Sequence, residues 1–389
     1  MLTNKFLKLQ SVYFRLLGFN IFACHGDSWI LPRRTIGSIM SVLRFLPLTA
    51  AFCLQNMQNV DQLTDGLCSM LIDLLALCKF GLIIRLHKDL VQLIERIRQL
   101  LHRESRIANY ARIIEEVNKR EQFISGLYRN CFQLAAASAC MLPLLRMFWS
   151  TFIRSASAIG EVQPELPFPS VYPWDNRGVF NYLVAYVWNV AAAFGVLLPT
   201  VCVDTLFCLL THNLCALFRI AQYKMQHFVG ESLDDTLSNV ANILPLYQAT
   251  LDMCNTLNRC FRPLISVQFL VASLHLCVLC YQVSANLRRP DVLFFAAFTC
   301  SILSQIYLYC YCGECVKTEN AQFATAIYDS DWHKTGCSWS AIGRPLLLSM
   351  MRAQRDCRID GYFFVANKQT FLAIVKTSMS YVTLLQSLS

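Results

Sequence analysis

Apolar positions along this chain gather into seven blocks, roughly Ile36–Asn56, Gly66–Ile84, Phe123–Trp149, Gly178–Asn213, Arg259–Ser284, Val292–Cys315 and Gly361–Leu388. Each is close to or longer than the ~20 residues that carry a helix across a hydrocarbon core of ~30 Å. Lipid offers no partner to exposed peptide groups, so only helices and closed barrels can span it. The blocks lack the ten-residue apolar/polar alternation of barrel strands and therefore predict helices. The expected fold class is an all-α membrane protein with seven transmembrane helices.

Polar positions between the blocks set the orientation. The segments 1–35, 85–122, 214–257 and 316–358 hold 5, 9, 2 and 6 lysines and arginines, whereas the alternate loops 57–65, 150–177 and 285–291 hold 0, 2 and 2. Basic loops stay in the cytoplasm, which places the N-terminus inside and the C-terminus outside. Residues 1–35 show no compact apolar stretch with a small-residue cleavage site, so the first block is expected to insert the chain itself. A G-protein-coupled receptor would sit the other way up.

Two connections extend beyond a simple loop. Between Arg85 and Gln122, apolar residues recur at helical spacing (Leu86, Leu90, Leu93, Ile94, Ile97), which predicts an amphipathic continuation of the second helix. The fourth block keeps helical pattern to about Met225, longer than a bilayer is thick, with a bend expected at Pro199. Helix ends projecting into the cytoplasm should pack together there. On the outer side, the stretch Glu161–Asp175 carries Pro164, Pro167, Pro169 and Pro173, which exclude regular helix and make it either a semi-rigid cover or a plain connector.

Composition agrees and narrows the function. The 389 residues are 55% hydrophobic and 15% charged, too apolar for an ordinary soluble chain. The net charge of +9 is the topological bias just counted, and no basic patch interleaved with aromatics suggests nucleic acid. Of the 19 cysteines, none falls in the three outer loops, so no disulfide framework is implied. The cluster Cys310, Cys312 and Cys315 would need a ligand from elsewhere, such as His333, to hold zinc, and no metal or cofactor is assigned.

Ionisable residues within spans are costly and are functional or paired by default. They are Arg44, Asp73, Lys79, Arg146, Asp204, His275 and Lys376. Depth counting pairs Arg44 with Asp73 and Lys79 with Asp204. No constellation of acids, metal-ligand histidines or a nucleophile with its base converges at one depth, so no enzyme is expected. Bulky uncharged residues in the outer halves of the spans, Met70, Leu74, Met141, Tyr182, Tyr186, Phe294 and Phe298, are candidates to enclose a small apolar ligand. On the last helix, Thr370, Ala373, Ile374, Thr377, Tyr381, Leu384 and Leu388 share a half-polar stripe that suits an aqueous path better than lipid. Leu384 and Leu388 at its outer end could form apolar rings that gate by dewetting, with Lys376 expected off the axis.

The stretch from Met351 to Ser387, "MRAQRDCRIDGYFFVANKQTFLAIVKTSMSYVTLLQS", resembles the C-terminal signature of insect odorant receptors, and "AIYDSDWHKT" at Ala326–Thr335 resembles the segment they carry before the last helix. The resemblance implies an odorant-gated, nonselective cation channel subunit in the plasma membrane of olfactory sensory neuron dendrites, assembled as a heterotetramer with the odorant receptor co-receptor, Orco. It implies a cytoplasmic N-terminal segment (1–35), a ligand-binding bundle (36–315), a cytoplasmic anchor segment (316–360) and a pore-lining seventh helix (361–389). The small volatile ligand would bind in the outer half of the bundle, and the gate would fall on Leu384 and Leu388 with Thr377 and Tyr381 lining the pore. Arg355-Asp356-Cys357 and Asn367-Lys368-Gln369 depart from the family pattern. The alternatives are a gustatory-type homotetrameric channel and a G-protein-coupling receptor.

Overall fold

The computed structural model describes residues 8–18, 32–154, 165–175, 178–285, 292–332 and 339–388, with the side chains of 8–11, 149–154, 285, 339–340 and 381–388 outside the description. Six long helices do most of the building: α2 (Arg33–Gln55), α3 (Val60–Glu104), α4 (Ala108–Arg154), α5 (Val179–Gln226), α6 (Leu233–Ala285) and α7 (Val292–Tyr328). All six are long and apolar enough to cross a membrane. A short α1 (Lys8–Leu17) precedes them, and α8 (Arg344–Gln354) and α9 (Lys368–Leu388) follow a π-helical turn at Trp339–Gly343.

Helix starts follow local chemistry. Asn59 accepts from the backbone N–H groups of Asp61 (3.2 Å) and Gln62 (3.3 Å), capping α3 with Asp61 in its first turn. Ser232 caps α6 by accepting from the N–H of Asp235 at 3.1 Å. Asn367 accepts from the N–H of Thr370 at 2.7 Å and so starts α9. Part of the polar departure noted at Asn367-Lys368-Gln369 is thus a helix cap. The block predicted to be helical from Gly361 begins instead with an irregular segment, held by an isolated bridge between Asp360 and Val365.

The second helix continues past Arg85 through Leu86, Leu90, Leu93, Ile94 and Ile97 as predicted, but it stops short of Gln122. α3 ends at Glu104, after a kink at Leu86 (φ −107°, ψ 16°), and residues 108–122 open α4. The break falls where the polar run His102–Arg106 lets Ser105 turn back, its hydroxyl donating to the His102 carbonyl at 2.9 Å. α5 runs as one helix of 48 residues with Pro199 inside it. At 1.5 Å per residue it is roughly 70 Å long, so its inner half projects below the bilayer.

These projecting ends pack as expected from the amphipathic pattern. Phe218 and Met225 of α5, Tyr247 of α6 and Phe323 of α7 are buried, and the rings of Tyr247 and Phe323 stack at 3.9 Å. Arg219 pairs with Glu319 at 2.7 Å and Lys224 with Glu104 at 2.5 Å, tying α5 to α7 and α3. Tyr13, Phe14 and Leu17 of α1 join the same core. Two glycines allow close crossings. A Cβ on Gly195 would lie 2.5 Å from Ser41 Oγ, and one on Gly313 would lie 2.0 Å from the Ala366 carbonyl oxygen, so α9 approaches α7 over a bare backbone.

Candidate ligand cavity and pore helix

At the centre of the bundle, Asp204 of α5 gathers donors from three other helices. Its Oδ2 receives Lys79 Nζ of α3 at 2.7 Å, Gln305 Nε2 of α7 at 2.7 Å and the Tyr128 hydroxyl of α4. Its Oδ1 receives the Tyr309 hydroxyl at 2.7 Å, and Gln268 of α6 donates to Gln305 Oε1 at 2.7 Å. All six side chains are buried. The predicted Lys79–Asp204 pair is formed, and the neutral donors around it satisfy the carboxylate that a lone lysine would leave half-solvated.

The predicted Arg44–Asp73 pair is not formed. Val42, Phe45 and Thr49 make the buried face of α2, which turns Arg44 outward into a groove beside Leu183, Val187 and Trp188 of α5. Asp73 points inward instead, is 3% exposed, and its Oδ2 has no hydrogen-bond partner among the described residues.

Asp73 opens onto a narrow, partly open cavity above the Asp204 network, with a volume of about 50 Å³. Ser69 and Ile72 line it beside Asp73, and Phe294 and Phe298 of α7 close one side. The space itself comes from small residues: Ala135, Ala136 and Ala139 on α4 face Ala192 and Ala193 on α5. Phe45 and Phe132 complete the aromatic wall, and Phe168 of the outer proline-rich segment covers it, its ring edge-on to Phe45 at 6.5 Å. That cover is fastened. The Phe168 N–H donates to Asn189 Oδ1 at 3.0 Å, Asn189 Nδ2 donates to the Tyr172 hydroxyl at 2.8 Å, and the Val171 N–H donates to the Leu48 carbonyl at 3.2 Å.

Of the candidate ligand contacts, Phe294 and Phe298 line this cavity, and Phe298 also meets buried His275 edge-on at 4.9 Å. The other five stand elsewhere. Leu74 and Met141 are exposed on the outer surface of the bundle, because the inward faces of α3 and α4 are taken by Asp73 and Ala139. Met70 is half-buried beside Ser69 without reaching the cavity. Tyr182 donates to the Glu165 carbonyl at 3.0 Å, and Tyr186 donates to the Cys140 carbonyl, so both hydroxyls fasten helix and loop. The alanine runs "AAASA" and "AAA" at 135–139 and 191–193 were the signal for the cavity walls: in a helix that faces helices, small residues mark where space is left.

On α9, Ile374 and Ser378 are buried against the bundle, while Leu372, Ala373, Lys376 and Thr377 are exposed on the opposite face. Ile374 therefore leaves the predicted polar stripe, and Lys376 shares the exposed face with Thr377, whose hydroxyl is used by the Ala373 carbonyl at 2.8 Å. Residues at i and i+1 are ~100° apart on a helix, so the two side chains diverge. The side chains of Tyr381, Leu384 and Leu388 lie outside the described residues, and the backbone there is helical through Leu388.

The family model described as "7tm Odorant receptor" matches residues 59–379. The chain belongs to the 7tm odorant receptor family. It is 49% identical to the putative odorant receptor 98b of Drosophila melanogaster over 97% of this chain and 96% of that one. It is 42% identical to odorant receptor 47a of the same fly, over 99% of this chain and all (100%) of that one. Among solved structures it resembles the olfactory receptor OR5 of Machilis hrabei in complex with eugenol, with a TM-score of 0.81 at 15% identity over 99% of this chain and 98% of that one. Membership decides for an odorant receptor over the gustatory-type and G-protein-coupling readings. This odorant receptor is a multi-pass membrane protein and not an enzyme.

Proposed function

We propose that this odorant receptor takes a small volatile ligand into the cavity beneath Phe168 and passes the binding energy to a cation pore that α9 lines jointly with the co-receptor Orco. The observation that carries this reading is the cavity wall: aromatic and alanine side chains, with Ser69 and Asp73, whose Oδ2 has no partner among the described residues, as its polar groups. An apolar odorant would gain about 25 cal/mol per Å² buried, and one hydroxyl on it could donate to Asp73 Oδ2. Residues 316–360, together with the inner ends of α3 to α7, act as the anchor through which subunits meet. Leu384 and Leu388 form the gate, and Thr377 and Tyr381 line the path below it. The working site is the plasma membrane of olfactory sensory neuron dendrites.

The test is to express the chain with and without Orco and record current under a panel of volatiles, wild type beside Ala136→Phe. Odour-evoked current is expected only with the partner, and the phenylalanine should shift the dose–response at least tenfold by filling the cavity. Surface-expressed receptor that gives no current to any odour, or an unshifted Ala136→Phe response, refutes the reading.

A further inference from the structure

Cys208 and His212 stand one turn apart on α5 and face Cys312 of α7, at the level where both helices leave the bilayer for the inner layer. One ligand atom from each lies within 4.8 Å of the other two, and all three residues are buried. Cys208 Sγ is 3.5 Å from His212 Nδ1. That is the edge a tetrahedral centre produces from metal–sulfur bonds of about 2.3 Å and metal–nitrogen bonds of about 2.0 Å. His212 Nδ1 also lies 2.8 Å from the Cys208 carbonyl oxygen, whereas Nε2, although buried, has no partner among the described residues. Nδ1 is the ring nitrogen that faces the Cys208 thiol, so a metal bound there would replace its contact with the Cys208 carbonyl and leave Nε2 as the ring N–H. Tyr311 stacks on the His212 ring at 5.9 Å, and the Arg120 guanidinium stands 5.4 Å from the Tyr311 centroid.

We propose that Cys208, His212 and Cys312 bind a thiophilic d10 cation, zinc(II) or copper(I), that clamps α5 to α7. Binding forms two metal–thiolate bonds and one metal–imidazole bond, and the two thiol protons leave to solvent. Two thiolates neutralise zinc(II), which suits a site at the edge of the hydrocarbon. Copper(I) also accepts a trigonal set of two thiolates and one imidazole, which leaves one negative charge uncompensated. Of the cysteine run at Cys310–Cys315, Cys312 joins this cluster and its companions stand on α5, while Cys310 and Cys315 are not part of it and His333 lies outside the described residues. The clamp also has a place in gating. Cys312 precedes Gly313, against whose bare Cα the Ala366 carbonyl packs just before α9 is capped. Holding Cys312 to α5 holds the seat of α9, a consequence that rests on α9 lining the pore; metal binding itself does not.

The experiment is elemental analysis of the receptor purified with Orco, with the Orco homomer as background and growth medium supplemented with zinc or copper in separate arms. About one zinc or copper per chain of this receptor is expected, falling at least tenfold in Cys312→Ser and in His212→Ala. Should those variants fail to fold, X-ray absorption on the wild-type complex serves instead, with mixed sulfur and nitrogen ligation at about 2.3 and 2.0 Å expected. Three results overturn the proposal: metal no higher than the homomer background in both arms, metal unchanged in folded variants, or a Cys208–Cys312 disulfide recovered from the alkylated protein. A receptor that binds metal yet gives no odour response would refute the proposed function while leaving the site intact.

Discussion

Lys79→Met removes the cation that faces Asp204, the only one among the described residues, and keeps the apolar stem of the side chain in place. Asp204 then holds a full charge among three neutral donors, Tyr128, Gln305 and Tyr309, with both partners of the original pair wholly buried. Breaking a buried pair by removing one partner costs about 3–5 kcal/mol, because the surviving charge stays out of water. The three remaining hydrogen bonds to the carboxylate, each worth about 1.5–3 kcal/mol, keep the helices from separating altogether. A loss of that size lowers the melting temperature by on the order of 10 °C, read by fluorescence-detected size-exclusion chromatography of heated detergent extracts. Lys79→Met with Asp204→Asn removes both charges and leaves an amide oxygen for the tyrosines, so it should melt between the single variant and wild type. A single variant as stable as wild type, or a double variant no better than the single, would refute the view that the charge pair is the keystone of this network.

Three further outcomes are expected. Phe168→Ala removes the cover without touching a span, and loss of about 1–2 kcal/mol of apolar contact should raise the half-maximal odorant concentration roughly 5- to 30-fold with surface expression unchanged; dose–response recording checks it. Gly313→Ala sets a methyl against the Ala366 carbonyl, where a Cβ has only 2.0 Å, and should lower surface expression or raise basal current, whereas Gly81→Ala, with nothing within 4 Å, should do neither. Tyr307→Ala removes the edge-on contact with Phe371 of α9 at 5.6 Å. An aromatic pair worth about 0.5–1.5 kcal/mol sets the expected change in maximal response at roughly 2- to 10-fold, with ligand binding measured directly left as in wild type.

The spans, their direction and the Lys79–Asp204 pair were legible because hydrocarbon punishes every misplaced charge and peptide group, leaving a strong periodic record in the chain. The cavity was legible only in part. Phe294 and Phe298, which line the cavity, stand out as aromatics near a helix end, but Leu74 and Met141 are as apolar as any cavity residue, and in lipid an outward face looks the same as an inward one. Hydrophobicity cannot orient a helix that is apolar all round. What does orient it is size and polarity: the alanines of α4 and α5, and Asp73, point inward because space and unsatisfied polar atoms are tolerated only there. The end of α3 at Glu104 was hidden for another reason, since apolar spacing resumes in phase on α4 and only the polar turn between them interrupts it.

α7 is an element that touches both the cavity and the start of α9. Phe294 and Phe298 touch the cavity; Gln305 and Tyr309 bind Asp204; Tyr307 meets Phe371; and Gly313 seats Ala366. From Phe298 to Gly313 is fifteen residues, roughly 22 Å of helix. A rigid helix of that length carries a displacement at its outer end to its inner end with little loss, but only if it moves as a body. The Asp204 network resists such movement, since a translation of α7 by an ångström stretches the Gln305 and Tyr309 bonds together. Under the proposed function, ligand binding would have to favour the shifted arrangement by more than those bonds lose, which is a differential affinity between two states and not a property of the cavity alone. This predicts an order among substitutions. Weakening the network through Tyr309→Phe, which removes one bond and no charge, should make the shift easier and raise basal current, whereas Lys79→Met should lower expression before gating can be read. An equal effect of the two on gating would mean that α7 does not move against Asp204 at all.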